Sequence, residues 1–230
     1  MIRIAYYVDQ FATPRHFAFL ERSIESARAH LPGARVIHLT TPGAPQVKPA
    51  DERIEVPADG TFPHRRGTAA ALLEGDTLFL DCDTVIQRDV AHVFDHPFDI
   101  ALAEVHRPGF PDLKYNAGVV FSRCPRFWTD FARRAGGYDY KDVRTDWRPV
   151  ERTFSETAAS GDYRVFELDS ALYNHTPASA DEDVSRAFIV HYKGIRKKWL
   201  LGPETPAAPA PRTRKHGILM QLLLDIFRRR

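Results

Sequence analysis

The hydrophobic pattern alternates between short apolar runs and longer stretches of helical periodicity. Ile2 to Val8 is an unbroken apolar run, which is typical of a buried strand. Thr13 and Pro14 then provide an N-cap and a first-turn proline, and apolar residues recur at helical spacing as far as Leu31. Further strands are predicted at residues 35–39, 53–56, 77–80, 98–103, 118–121, 163–168 and 187–190, and helices at 65–73, 89–94, 125–134 and 150–159.

This order of elements predicts the fold class. Strands and helices alternate along the chain, which favours an α/β fold with a mostly parallel central sheet and helices on both faces, a three-layer α/β/α sandwich. Such sheets bind ligands at the carboxyl ends of their strands. Residues that directly follow a strand are therefore the first candidates for a binding site.

The last 29 residues differ in composition from the rest of the chain. We predict one α/β domain over 1–201, a semi-rigid Pro/Ala-rich linker over 202–215 and a basic amphipathic helix over 216–230. The apolar face of this helix is flanked by arginines, as in helices that lie on anionic membrane surfaces. A helix packed on the domain or on a partner subunit would have the same pattern.

Composition excludes several classes of protein. Of 230 residues 43% are hydrophobic, and 32 basic residues are balanced by 30 acidic ones, so nucleic acid is not an expected partner. The two cysteines, Cys82 and Cys124, are expected to be reduced thiols. The sequence has no signal-peptide pattern and no apolar run of about 20 residues, so we expect a cytoplasmic protein. The alternative is a cytoplasmic protein in peripheral contact with the inner face of the plasma membrane.

The first candidate for chemistry is Asp81-Cys82-Asp83, which directly follows the apolar strand at 77–80. Two carboxylates at a strand end can be aimed at one hard cation, and Mg²⁺ or Mn²⁺ prefers such oxygen ligands. A pair of solvated turn aspartates is the alternative interpretation. The apolar strand before them favours the metal site.

Two further segments carry polar groups next to strands. Asn116-Ala117-Gly118 opens a strand, where glycine permits close backbone approach and an amide can bond sugar hydroxyls. His191 ends another strand, where an imidazole can serve as a metal ligand. Gly194 permits a second close approach of the backbone, and Lys197 can neutralise a phosphate. Each segment alone would fit an ordinary turn or a solvated basic loop equally well.

In combination, the three segments resemble the motifs of glycosyltransferase family 8, enzymes with the GT-A type of nucleotide-diphospho-sugar transferase fold. The resemblance extends over about residues 1–201, and the order and spacing of the motifs agree. The matching residues are Asp81, Asp83, Tyr115, Asn116, Ala117, Gly118, Val119, His191, Tyr192, Gly194, Lys197 and Trp199.

The resemblance implies a donor site. Asp81, Asp83 and His191 would hold Mn²⁺ or Mg²⁺ against the diphosphate of a UDP-sugar, and Asp81 would also lie near the ribose. A basic residue before the Asp-x-Asp strand contacts the donor in this family, and Arg66 is favoured here over Arg65. The implied donor-binding residues are Ala5, Tyr6, Tyr7, Asp9, Arg66, Asp81, Cys82, Asn116, Ala117, Gly194 and Lys197.

The resemblance also implies a reaction: transfer of a hexose, with retention of configuration, from UDP-glucose or UDP-galactose to a glycan, lipid-linked or other hydroxyl acceptor. Glu151, Asn116 and Lys197 are the implied catalytic residues. Where the family often has Asp-Gln, this chain has Glu151-Arg152, and Asp146 is a rival for the carboxylate role. This departure leaves acceptor specificity open.

Three other functions fit parts of the pattern. A sugar-phosphate nucleotidyltransferase would share the fold, but a glycine-rich loop is expected after its first strand, and residues 9–14 contain no glycine. A non-catalytic protein that binds sugar nucleotides or glycans would not need intact metal ligands and Lys197. A metal-dependent phosphohydrolase would require more clustered carboxylates and histidines.

Overall fold

The computed structural model describes residues 1–105, 109–110, 112–138 and 147–201. Its strands are β1 Arg3–Tyr7, β2 Arg35–Thr40, β3 Glu52–Glu55, β4 Thr77–Leu80, β5 Thr84–Ile86, β6 Ile100–Glu104, β7 Tyr115–Ser122, β8 Val165–Leu168 and β9 Ile189–His191. Its helices are α1 Pro14–His30, α2 Phe62–Ala70, α3 Pro125–Ala135, α4 Arg148–Ala158, α5 Ser170–Tyr173 and α6 Lys197–Leu200. The predicted linker at 202–215, the predicted helix at 216–230 and Asp146 lie outside the described residues.

Seven strands form one sheet in the order β3-β2-β1-β4-β7-β6-β8. β7 is antiparallel to both of its neighbours, and all other pairs are parallel. The predicted mostly parallel sheet is therefore confirmed, with one reversed strand that the sequence pattern did not indicate.

Side chains of β1 alternate between two hydrophobic cores, one on each face of the sheet. Ile4 and Tyr6 pack with residues of α1, whereas Ala5 and Tyr7 pack with residues of α2, α3 and α4. This alternation follows from the period of two in a strand. It confirms the three-layer α/β/α architecture.

Two predicted elements differ in detail. The segment at 89–94 forms a 3₁₀ turn, Ala91–Asp95, and the predicted strand at 187–190 does not join the large sheet. As β9, it pairs instead with β5, a three-residue strand that was not predicted. β5 is too short to produce a recognisable periodicity, and it starts immediately after Asp83.

Both cysteines are free thiols. Among the described helices, none combines the length and apolar character needed to cross a membrane.

Candidate active site

The Asp-x-Asp segment is held by backbone hydrogen bonds at the end of β4. The N–H of Asp81 donates to the carbonyl of Gly118 in β7 at 2.8 Å, which extends the β4–β7 pairing by one residue. The carbonyl of Asp81 accepts from the backbone N–H of Thr84 at 3.2 Å and from its hydroxyl at 2.8 Å. This tight turn fixes where both carboxylates can lie.

His191 reaches these carboxylates because β9 pairs with β5. Thr84 lies opposite His191 in the antiparallel pair, and the N–H of Tyr192 donates to the carbonyl of Asp83 at 2.9 Å. The imidazole Nε2 is 3.2 Å from Asp83 Oδ1 and 3.6 Å from Asp81 Oδ2. One ligand atom from each residue lies within 4.8 Å of the others.

This donor set fits a divalent cation. Two carboxylate oxygens and one imidazole nitrogen converge on one point, and Asp83 and His191 are almost fully buried. Burial alone would raise the pKa of Asp83, but the adjacent imidazole of His191 and the ammonium of Lys197 hold that pKa below its ordinary value. Asp83 is therefore ionised at neutral pH, as a metal ligand must be.

Two basic side chains border the acidic cluster. Lys197 Nζ lies 3.1 Å from Asp83 Oδ2. Arg66 NH1 lies 3.0 Å from Asp81 Oδ1, and its NH2 donates to the carbonyl of Ala117 at 2.6 Å. The arginine that the sequence favoured thus reaches the cluster from α2, while Lys197 reaches it from α6.

Arg65 has a different environment from Arg66. Its guanidinium is buried, lies 2.7 Å from Asp9 Oδ2 and donates to the Tyr7 hydroxyl at 3.2 Å. A buried charge without such a partner would cost several kcal/mol. Arg65 therefore holds Tyr7 and Asp9 in place at the end of β1, a role that motif spacing did not reveal.

A cavity of about 460 Å³ opens at this edge of the sheet, a size typical of small-molecule sites. Its lining comes from the ends of β1 and β4, the start of β7 and parts of α1, α2, α4 and α6. The predicted site residues among the lining are Tyr7, Asp9, Arg66, Asp81, Cys82, Asp83, Asn116, Ala117, Glu151 and Lys197.

Four predicted site residues do not line the cavity. His191 lies behind the wall beside Gly118, with the ligand geometry given above. Ala5 and Tyr6 belong to the two cores, and the Tyr6 hydroxyl accepts a hydrogen bond from Ser23. Gly194 has a φ of 60° and begins the 3₁₀ turn that precedes Lys197.

Glu151 and Asn116 meet across the cavity wall. Glu151 lies in the first turn of α4 and is 8% exposed, and Asn116 Nδ2 donates to its Oε1. The sequence motifs did not identify Asn174, whose Nδ2 donates to Asn116 Oδ1. They also did not identify the cavity-lining residues His16 and Phe62. Asn174 lies outside the three motif segments, and its role depends on contacts that only the folded chain makes.

Comparison of the sequence with protein-family models finds no match, and no curated protein matches it. Solved structures do match. The galactosyltransferase LgtC, solved with donor and acceptor sugar analogues, gives a TM-score of 0.56 at 14% identity, covering 90% of this chain and 92% of that one. A glycosyltransferase involved in glycosylation of the PBCV-1 major capsid gives 0.56 at 15% identity, covering 87% and 98%.

A third match is the glycosyltransferase GlyE of Streptococcus pneumoniae TIGR4, with a TM-score of 0.54 at 16% identity, covering 86% of this chain and 55% of that one. This chain has the GT-A glycosyltransferase fold. The predicted resemblance is therefore confirmed at the level of the fold. The Asp-x-Asp cluster and the cavity lie at the strand ends of this GT-A domain, where α/β sheets bind ligands.

Proposed function

We propose that this chain is a metal-dependent glycosyltransferase that moves a hexose from UDP-glucose or UDP-galactose to a hydroxyl group of a glycan or lipid-linked acceptor. The observation that carries the proposal is the convergence of Asp81, Asp83 and His191 beside the cavity of a GT-A domain. Lys197 adds a cation at the same point, 3.1 Å from Asp83.

The diphosphate of the donor would bind where the acidic cluster meets the basic side chains. Asp81, Asp83 and His191 would hold Mn²⁺ or Mg²⁺, which supplies Lewis-acid stabilisation of the charge on the leaving diphosphate. Lys197 supports the same charge. Burial would lower its pKa, but the neighbouring Asp83 raises it overall, so Lys197 stays cationic at neutral pH.

The nucleoside would occupy the end of the cavity near β1. Asp9 and Tyr7 are held there by Arg65, and the exposed rings of Phe11 and Phe62 flank the same space. Stacking of a nucleobase on an aromatic ring contributes roughly 1–3 kcal/mol. A rigid polar pair next to exposed aromatic rings suits a ribose and a planar base.

The reacting sugar would lie between the diphosphate and Glu151. In a retaining transfer, the acceptor oxygen attacks the anomeric carbon on the face from which the diphosphate departs, and its proton passes to the leaving phosphate oxygen. Glu151 would stabilise the positive charge on the sugar or orient the acceptor, and Asn116 holds its Oε1. The side chain of Trp147 lines the cavity and is exposed, so it would offer a face for an acceptor sugar.

The test is a nucleotide-release assay with UDP-glucose, UDP-galactose and GDP-mannose, each with Mn²⁺ and each with a chelator. We expect release of UDP from one of the uridine donors with Mn²⁺ and a loss of this release with the chelator. Donor binding without any release would favour a non-catalytic binding protein. Formation of pyrophosphate from UTP and a hexose 1-phosphate would instead favour a nucleotidyltransferase.

A further inference from the structure

Asn174 lies between the acidic cluster and Glu151. It directly follows α5 and is 3% exposed. Its Oδ1 is 2.9 Å from His191 Nδ1, and its Nδ2 is 3.1 Å from Asn116 Oδ1. Since Asn116 Nδ2 bonds Glu151, one continuous path of side-chain hydrogen bonds joins the imidazole to the carboxylate.

One backbone amide determines the direction of every bond in this path. The N–H of Gly118 is a donor and lies 3.1 Å from a side-chain atom of Asn116, which must therefore be the oxygen. The side-chain amide atom of Asn116 that faces Glu151 is then the nitrogen, which can donate a hydrogen bond to the carboxylate.

The same reasoning extends to the histidine. The atom of Asn174 that contacts the Asn116 oxygen must be its nitrogen, so its oxygen faces His191. Only a protonated Nδ1 can donate to that oxygen. With its proton on Nδ1, a neutral His191 directs the lone pair of Nε2 towards Asp81 and Asp83, the form that a metal ligand requires.

We propose that Asn174 is a positioning residue with two roles: it selects the metal-binding tautomer of His191, and it orients Asn116 so that Asn116 holds Glu151. This inference rests on the proposed function. It means that the metal site and the Glu151 carboxylate are both positioned by one amide side chain.

The backbone around Asn174 is suited to this role. The N–H of His175 donates to the carbonyl of Ile189 at 3.0 Å, and the carbonyl of His175 accepts from the N–H of His191 at 2.7 Å. These two bonds fix the chain at Asn174 against β9, which carries His191. The side-chain contact therefore joins segments that the backbone already holds in register.

Two substitutions separate the two roles. Asn174→Ala removes both contacts, and we expect Mn²⁺ affinity, measured by electron paramagnetic resonance without donor, to fall about 10–100-fold. Asn174→Asp still accepts from His191 but cannot donate to Asn116. We expect its Mn²⁺ affinity to stay close to that of the wild type, while its rate of UDP release at saturating Mn²⁺ falls to the level of Asn174→Ala.

A measurement on the unaltered protein tests the tautomer directly. The ¹⁵N chemical shifts of His191 in the Mg²⁺-loaded protein, assigned by comparison with His191→Gln, are expected to identify Nδ1 as the protonated nitrogen. The control for the Mn²⁺ titrations of the Asn174 variants is Thr77→Val. This change removes a buried hydroxyl that donates to the carbonyl of Gly75 at the opposite end of β4, and it should leave Mn²⁺ affinity unchanged.

The inference is overturned if wild type and Asn174→Ala bind Mn²⁺ equally, if Asn174→Asp releases UDP at the wild-type rate, or if His191 carries its proton on Nε2. Failure of the proposed function gives a different result, because the wild type itself would then show no metal-dependent UDP release.

Discussion

Replacing Gly118 by alanine is expected to abolish metal-dependent donor binding. A Cβ at this position would lie 2.7 Å from Nδ1 of His191 and 2.8 Å from Oδ2 of Asp81, closer than real Cβ contacts. The imidazole of His191 is buried and hydrogen-bonded to Asn174, so moving away from the new Cβ would break this hydrogen bond. We expect Mn²⁺ affinity to fall by at least about 100-fold, the upper end of the effect of disturbing the surroundings of a metal ligand.

The matched control is Gly33→Ala. Gly33 lies between α1 and β2, and an added Cβ there would meet nothing within 4 Å. Metal titration of both variants, with circular dichroism to verify folding, isolates the local effect. Wild-type Mn²⁺ affinity in a folded Gly118→Ala protein would show that the cluster is not where the cation binds.

Replacing Asp83 by asparagine is expected to have the largest effect on turnover. The change keeps the shape of the side chain but removes the charge that faces His191 and Lys197. Metal-ion stabilisation of transition-state charge is worth several kcal/mol, so we expect the rate of UDP release to fall about 1,000-fold. The measurement is initial rate at saturating Mn²⁺ and donor.

Asp76→Asn provides the comparison for Asp83→Asn, because it removes a carboxylate at the other end of the same strand. Asp76 pairs with Arg123 at 2.6 Å, far along β4 from the cavity. Its rate of UDP release should equal that of the wild type. Equal rates for Asp83→Asn and Asp76→Asn would rule out Asp83 as a metal ligand.

The sequence could predict the parts of the site that depend on neighbours along the chain. An apolar strand leads directly into Asp81 and Asp83, so their place at a strand end followed from the pattern. Strand periodicity also predicts which face each side chain of β1 takes: Tyr7 and Asp9 alternate with Tyr6, so the Tyr6 side chain faces the opposite core. The motif resemblance implies Tyr6 as a donor contact without regard to this alternation.

Other parts depend on contacts between distant segments, and no local pattern predicts these. Asn174 and Asn116 are 58 residues apart, and Arg65 and Asp9 are 56 apart. β5 is visible only through its partner β9, since a three-residue strand has almost no periodicity of its own. Each of these contacts contributes to the geometry of the site, although none is marked by a motif.

The most direct test of the central claim is the thermodynamic coupling between Mn²⁺ and UDP. If Asp81, Asp83 and His191 hold a cation against the diphosphate, each ligand must strengthen binding of the other by the same factor. We predict that calorimetry will give a factor of about 10–100 in both directions, within the usual range of such couplings. An affinity for UDP that is the same with Mn²⁺ and with chelator would contradict the account.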